Sequence, residues 1–337
     1  RNFLGKSFKA DQKAVELESQ VAALEFTIEE KDQLLSLSKL YIEIVSLKEQ
    51  IRLEEQSIER LKKRLNYVIK QVRDGIREKV DEYRARENLL ARESALRDVE
   101  HRYWQVKEQI GVISVVNISD VAFKDNSLNI DWTKPWDGWH LKDNVDRQLL
   151  LKRLDSLSAQ SKARAQENNL DLKVVTSYGT NNWEVERSNA ISGGYLGQDN
   201  DEKTIALQLN IPFGNRASDA EFQKIKAQKM MLERYARNWD NVLINTASTL
   251  GERHKLLAYN LENAKQRVTL AQKALNSYTK LYAKGRVNLD QLITAEEQLV
   301  ADQRLVITSN VALANLTLDA QAIAGRLPNF LMSVIDL

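Results

Sequence analysis

The stretch "TIALQLNIPFGNRASDA", Thr204 to Ala220, decides the fold. In its first half Ile205, Leu207, Leu209, Ile211 and Phe213 share one face, and Thr204, Ala206, Gln208 and Asn210 share the other. That is the two-residue period of a strand with one apolar side. The alternation breaks at Pro212 and runs straight into a long charged segment. Upstream, "LDLKVVTSYGTNN" alternates in the same way. Leu170, Leu172, Val174, Thr176 and Tyr178 lie on one side, and Asp171, Lys173, Val175, Ser177 and Gly179 on the other. The polar, glycine-rich "WEVERSNAISGGYLGQDND" joins the two, so residues 170–213 read as a β-hairpin.

The rest of the chain is helical in pattern. Prolines stand only at 135, 212 and 328, which leaves long stretches free of helix breakers. From about Phe8 to Asp74, Ile44, Ile51, Ile58, Leu65 and Val72 recur every seven residues, with Leu47, Leu61 and Val68 three residues after three of them. This is a coiled-coil seam. Gly75 interrupts it, and a second helix follows through Leu89, Leu96, Tyr103, Val106 and Ile110, with Gly111 predicted to end it. The same unit returns from about Arg216 to Lys284, breaks at Gly285, and descends through Leu292, Leu299 and Val306 to Gly325.

Counted from the preceding Asn, the spans are 73 residues (Asn2 to Gly75) and 70 residues (Asn215 to Gly285). Two copies of one helical hairpin are therefore expected, and repetition outweighs any single motif. At 1.5 Å per residue each ascending helix would run roughly 100 Å, a length suited to a rod or to the staves of a tube.

Composition narrows the function. Forty-nine basic against 47 acidic side chains argue against a nucleic-acid binder, which needs a basic excess. A mean hydropathy of −0.46 and the lack of any run of 18 apolar residues exclude a transmembrane helix but not a transmembrane β-barrel, whose strands are short and alternating. There is no cysteine, hence no disulfide framework or thiolate site, and no cofactor or metal is expected. "RNFLGKSFKA" has none of the features of a signal peptide. His101, His140 and His254 are scattered, and no GxSxG, HExxH or P-loop is present, so the chain is not expected to be an enzyme. The many carboxylates read as exposed coiled-coil faces.

Alternation by itself favours a soluble sheet packed on a helix, because the barrel signal of a single strand is weak. Here the flanking coiled coils offer no spare core, and a lone hairpin is marginal in water. Tyr178, Trp183, Tyr195 and Phe213 near the strand ends suit an interfacial girdle. The lipid-facing strand residues are then Leu170, Leu172, Val174, Ile205, Leu207, Leu209 and Ile211.

The order of parts resembles the TolC-like outer-membrane factors. "LQLNIPFGNRASDAEFQKIKAQ" is similar to that family's passage from barrel strand to ascending helix, and "RNFLGKSFKADQKA" corresponds to it in the first repeat. "YAKGRVNLDQLITAEEQLVADQRLVITSNVALANLTLDAQAIAGRLP" and "GIREKVDEYRARENLLARESALRDVEHRYWQVKEQIGV" are similar to its two hairpin tips and descending helices. Together these cover most of the chain.

The resemblance implies a trimer whose helical hairpins form an α-barrel joined to a transmembrane β-barrel. It places the trimer in the bacterial outer membrane, extending into the periplasm. Its implied partners are two further copies, a periplasmic adaptor, an inner-membrane pump and outer-membrane lipid. Its work would be that of a passive exit duct for a tripartite efflux pump or a type I secretion system. In that family each protomer gives four strands to the barrel. A first β-hairpin is thus expected to precede this sequence, with a leader and a first helix, because unpaired barrel edges are not tolerated in lipid.

The expected parts are a first hairpin repeat over 1–120, an equatorial region over 121–169, the transmembrane hairpin over 170–213, a second repeat over 214–327 and a C-terminal segment over 328–337. The resemblance places the adaptor-docking mouth at the hairpin tips, which here are Arg73, Gly75, Arg77, Lys79, Lys284, Gly285 and Arg286. It makes Asp290 an aperture candidate, with Thr294 at the position of a second acid in some relatives and Asp81 in a similar place in repeat one. Opening would follow from rotation of the tips along seams that slide between registers. Two other readings remain at this level: a soluble coiled-coil scaffold, and a periplasmic adaptor, which carries a single long hairpin between β-rich halves.

Overall fold

The computed structural model describes residues 6–114, 131–133, 140–167, 171–180, 201–210 and 216–335. Helix α1 spans Lys6–Arg73 and α2 spans Lys79–Ser114. A 3₁₀ turn at Leu141–Asp143 leads into α3, Val145–Glu167. Strands β1, Asp171–Thr180, and β2, Asp201–Asn210, form an antiparallel pair. Then come α4, Arg216–Ala283, α5, Leu289–Ile323, and the short α6, Leu327–Ile335.

The internal repeat holds to the residue. Both ascending helices, α1 and α4, have 68 residues, and their starts and ends each differ by 210 in number. The unequal spans predicted from the preceding Asn residues therefore lie outside the helices. Gly111 does not end α2, which carries it inside and continues to Ser114. A glycine weakens a helix by roughly 1 kcal/mol but stops it only where the backbone turns left-handed.

Two compact units divide the chain, Arg1–Phe26 with Asp146–Asn241, and Thr27–Val145 with Val242–Leu337. In the first, Ala14 and Leu17 of α1 bury against Ala159 of α3. Ion pairs join α3 to the helix that begins at Arg216, Arg147 Nε to Asp240 at 2.7 Å and Arg164 to Glu221 at 3.3 Å. In the second unit, a core of Val68, Ala85, Ala271, Leu275, Tyr282, Leu289, Leu292 and Leu299 draws on all four hairpin helices just behind the tips. Further along, Ile44 and Leu47 of α1 pack on Val106 and Ile110 of α2. Ile42, Trp132, Leu313, Ala314, Leu318, Ala322 and Leu327 form a third core. Predicted seam residues Ile44, Leu47, Val68, Val106, Ile110, Leu292 and Leu299 thus lie in the first two of these cores, while the third was not predicted.

Candidate functional site: the hairpin tips and the strand face

Each tip is closed by one hydrogen-bond pattern. After α1 the Gly75 N–H donates to the Val72 carbonyl at 3.1 Å and the Ile76 N–H to the Gln71 carbonyl at 2.9 Å. After α4 the Gly285 N–H donates to Tyr282 at 3.0 Å and the Arg286 N–H to Leu281 at 2.9 Å. Gly75 and Gly285 have φ of +70° and +72°, which L side chains resist. This is the Schellman cap, which satisfies carbonyls that a helix end leaves over. The restart after the second tip is capped as well. The Asn288 side chain accepts from the Gln291 N–H at 2.9 Å, and the Gln291 side chain accepts from the Asn288 N–H at 3.2 Å.

The predicted docking charges divide into two groups. Arg73, Lys79, Lys284 and Arg286 stand exposed, with Arg73 3.7 Å from Asp74. Arg77 does not. Its guanidinium lies over the Tyr282 ring, 4.4 Å from the centroid, and Nη2 reaches the Tyr282 carbonyl oxygen at 3.4 Å. Arg77 therefore ties the two tips together instead of offering a free charge. Tyr282 meets Tyr67 edge-on at 6.2 Å. Burial pushes the Tyr282 hydroxyl pKa up, helped by Asp81 and Tyr67 and opposed by Arg77, so the phenol stays neutral. Lys79 and Arg86 both bond Glu82, whose carboxyl is held below its usual pKa by those hydrogen bonds.

Asp290 is half exposed, and Arg84 of α2 holds its carboxylate at 2.7 Å. Thr294 is exposed, and its hydroxyl donates to the Asp290 backbone carbonyl at 2.9 Å. Asp81 does not share the Asp290 environment. By the 210-residue offset Asp290 corresponds to Val80, and the Asp81 carboxylate is largely covered beside Arg77 at 4.0 Å.

The largest departure from expectation is buried charge. Glu54 of α1 and Glu296 of α5 are fully buried, where acidic residues were expected on exposed faces. Glu54 accepts from Arg304 Nε at 3.0 Å and from Arg92 at 3.3 Å. Glu296 accepts from Arg60 at 2.8 Å, Arg64 at 3.1 Å and Ser57 at 3.3 Å. Arg64 is pushed below its usual pKa by desolvation, with Glu296 opposing. Paired in this way the charges hold; a one-turn slide of α5 along α1 would strand them, because a buried ion without its partner is costly. Sliding of this seam, expected from its coiled-coil character, is therefore opposed.

The sequence carried a signal for both glutamates. In the run 47, 54, 61, 68, position 54 alone lacks an apolar residue, and Glu296 stands four after Leu292 and three before Leu299. Of the histidines, His254 is buried, its Nε2 3.0 Å from the Trp132 carbonyl, while His101 and His140 are exposed. Among the described residues no group of three or more His, Asp or Glu is placed to hold a metal ion.

The strand pair has the predicted faces. Leu172 pairs with Leu209, Val174 with Leu207 and Thr176 with Ile205, so these residues lie on one side. Ile205, Leu207 and Leu209 stand in solvent, Ile205 at 80% exposure. Leu170, Ile211, Trp183, Tyr195 and Phe213 lie outside the described residues. No described helix is long and apolar enough to cross a membrane, which says nothing of a β-barrel.

A repeated long helical hairpin with a two-stranded sheet between the copies is the fold of the helical tunnel of outer-membrane channels. The chain superposes on a membrane protein from Pseudomonas aeruginosa with a TM-score of 0.85 at 12% identity, over 96% of this chain and 74% of that one. The Campylobacter jejuni CmeC outer membrane channel matches with a TM-score of 0.80 at 12% identity, over 98% and 72%. The open state of the Neisseria gonorrhoeae MtrE outer membrane channel gives 0.77 at 13%, over 95% and 72%. No family model matches the chain, nor does any curated protein sequence. At the level of fold, the resemblance to TolC-like outer-membrane factors holds.

Proposed function

We propose that the chain is the outer-membrane exit duct of a tripartite efflux pump or a type I secretion system. Three copies close a channel-tunnel in the bacterial outer membrane that reaches into the periplasm. The duct is a passive conduit, energised by an inner-membrane pump through a periplasmic adaptor. The observation that carries this reading is the union, in one chain, of two helical hairpins with ascending helices of equal length and a strand, β2, whose Ile205, Leu207 and Leu209 stand uncovered. The fold shared with outer-membrane channels supports it.

In this reading Leu172, Val174, Ile205, Leu207 and Leu209 face lipid, and the exposed tip charges Arg73, Lys79, Lys284 and Arg286 meet the adaptor. A threefold axis would gather Asp290 into an acidic ring, which attracts cations and resists anions as such rings do in other pores. Release of Asp290 from Arg84 and of Tyr282 from Arg77 would accompany opening.

The test is fractionation of the full-length protein, with unboiled gel migration to read its oligomer. Recovery in the outer membrane as a detergent-requiring trimer is expected. Recovery as a soluble species would mean that the apolar strand face covers protein, which is the scaffold reading.

A further inference from the structure

The 210-residue offset allows each environment in one hairpin to be compared with its counterpart in the other. Val300, Ala314 and Ala322 of α5 are 1%, 0% and 5% exposed. Their counterparts on α2, Leu90, Trp104 and Val112, are 65%, 58% and 81% exposed. On the ascending helices, buried Ser46 of α1 corresponds to exposed Leu256 of α4. Large apolar side chains thus stand in solvent on α2 and α4 at the positions that the α1 and α5 counterparts bury within the chain. A second copy, presenting its α2 to this copy's α4, would cover both faces with the geometry that α5 and α1 already use. This contact is head-to-tail, and it recurs around a ring.

The two seams would differ in one respect. The charges that join α1 to α5 have no equivalents on α4 and α2. Counterparts of Glu54, Arg60 and Arg64 are Ala264, Leu270 and Ala274; counterparts of Glu296 and Arg304 are Arg86 and Ser94. We propose that the buried carboxylates Glu54 and Glu296, each shared by two arginines, key the seam within a chain so that α2 and α4 are left to join a second copy of this chain.

Every wrong pairing strands charge. If α5 docked on the α4 of another copy, Glu296 and Arg304 would meet Leu270, Ala274 and Ala264. If the α2 of another copy took the place of α5 on α1, then Arg60 and Arg64 would meet Arg86, and the acid beside it, Glu82, is already held by Arg86 and Lys79. Specificity comes here from the penalty on wrong partners. Burial of an ion pair in itself adds little stability over apolar packing.

The inference rests on the closed assembly of copies proposed above, and the experiment separates the two. The triple variant Glu296→Leu, Arg60→Leu, Arg64→Leu replaces one level of the key with apolar residues. Full-length parent and variant are purified in detergent and compared by native mass spectrometry and circular dichroism. The parent is expected as one discrete oligomer; a parent without one sinks the assembly reading itself. The variant is expected to keep its helicity and melting temperature while at least a tenth of it shifts to other stoichiometries. Retention of a single species overturns the key, and so does loss of the fold, which would make the charges ordinary stabilisers.

A second variant, Glu296→Arg with Arg64→Glu and Arg60→Gln, reverses the key inside one chain. Co-expressed with the parent under a different tag, it should enter mixed oligomers in statistical proportion, because its free faces are unchanged. Sorting into two homo-oligomers would place the charged seam between copies and overturn the proposal.

Discussion

Glu54 stands where the heptad run of α1 calls for a leucine, and its burial is tolerable only because Arg92 and Arg304 reach it from two other helices. Removing the acid leaves Arg92, itself mostly buried, facing a void. Glu54→Ala should therefore cost about 3–5 kcal/mol in chemical denaturation, the range for breaking one partner out of a buried pair. The capping glycines give a sharper contrast. At Gly285 a Cβ meets nothing within 4 Å, so Gly285→Ala pays only left-handed strain, about 1–2 kcal/mol. At Gly325, φ +69°, a Cβ would overlap the Asp143 carbonyl, so Gly325→Ala should lower the melting temperature distinctly more.

Glu82 adds a pH dependence. Its folded-state pKa lies below the unfolded one, so its contribution is present above the usual carboxylate value of about 4.3 and is lost as pH falls through the folded value. A stability profile on the acid side should flatten in Glu82→Gln, and an unchanged slope would assign that limb to other groups.

At the scale of elements, the helices and strands were legible because their periods are unlike. Alternation put Leu172, Val174, Leu207 and Leu209 on apolar faces, and the structure supplies the register, Leu207 opposite Val174 and Leu209 opposite Leu172. The glycine breaks at 75 and 285 located both tips because glycine takes those φ values without strain. Gly111 misled because the sequence does not distinguish a glycine that turns from one that stays helical. Which helix meets which was also hidden. Heptads mark a seam without naming its partner, so the bond of Glu54 to residues 38 and 250 positions away could not be read. The strand face carries its own prediction. Leu209→Lys should block membrane insertion at a cost of a few kcal/mol, while Gln208→Lys should be mild. Equal insertion of the two would remove the lipid assignment of this face.

For the whole molecule, the proposed duct makes Asp290 a matter of current. Asp290→Ala should raise conductance through reconstituted channels and increase antibiotic leak. Unchanged conductance with an intact trimer would leave Asp290 only its place near the positive end of the α5 dipole and its bond to Arg84. The parts of the chain that the sequence made plain, two hairpins and a sheet, are those set by local periodicity. The tips were located by glycine, but the bond that Arg77 makes across them was not, since it joins residues 205 apart.

That separation has a consequence for how the chain reaches its fold. Glu54 finds Arg304 across 250 residues and Glu296 finds Arg60 across 236. Hairpin contacts within α1–α2 can form while synthesis continues, but the charged seam has to wait until α5 has emerged. Loop closure over such distances is paid before any contact rewards it, which makes late pairings slow. The first hairpin must therefore persist with Arg60 and Arg64 of α1 still in water, where they are at ease, and with Glu54 held by Arg92 alone. The step that buries them is then the last to commit, and a chain truncated before residue 296 would never take it.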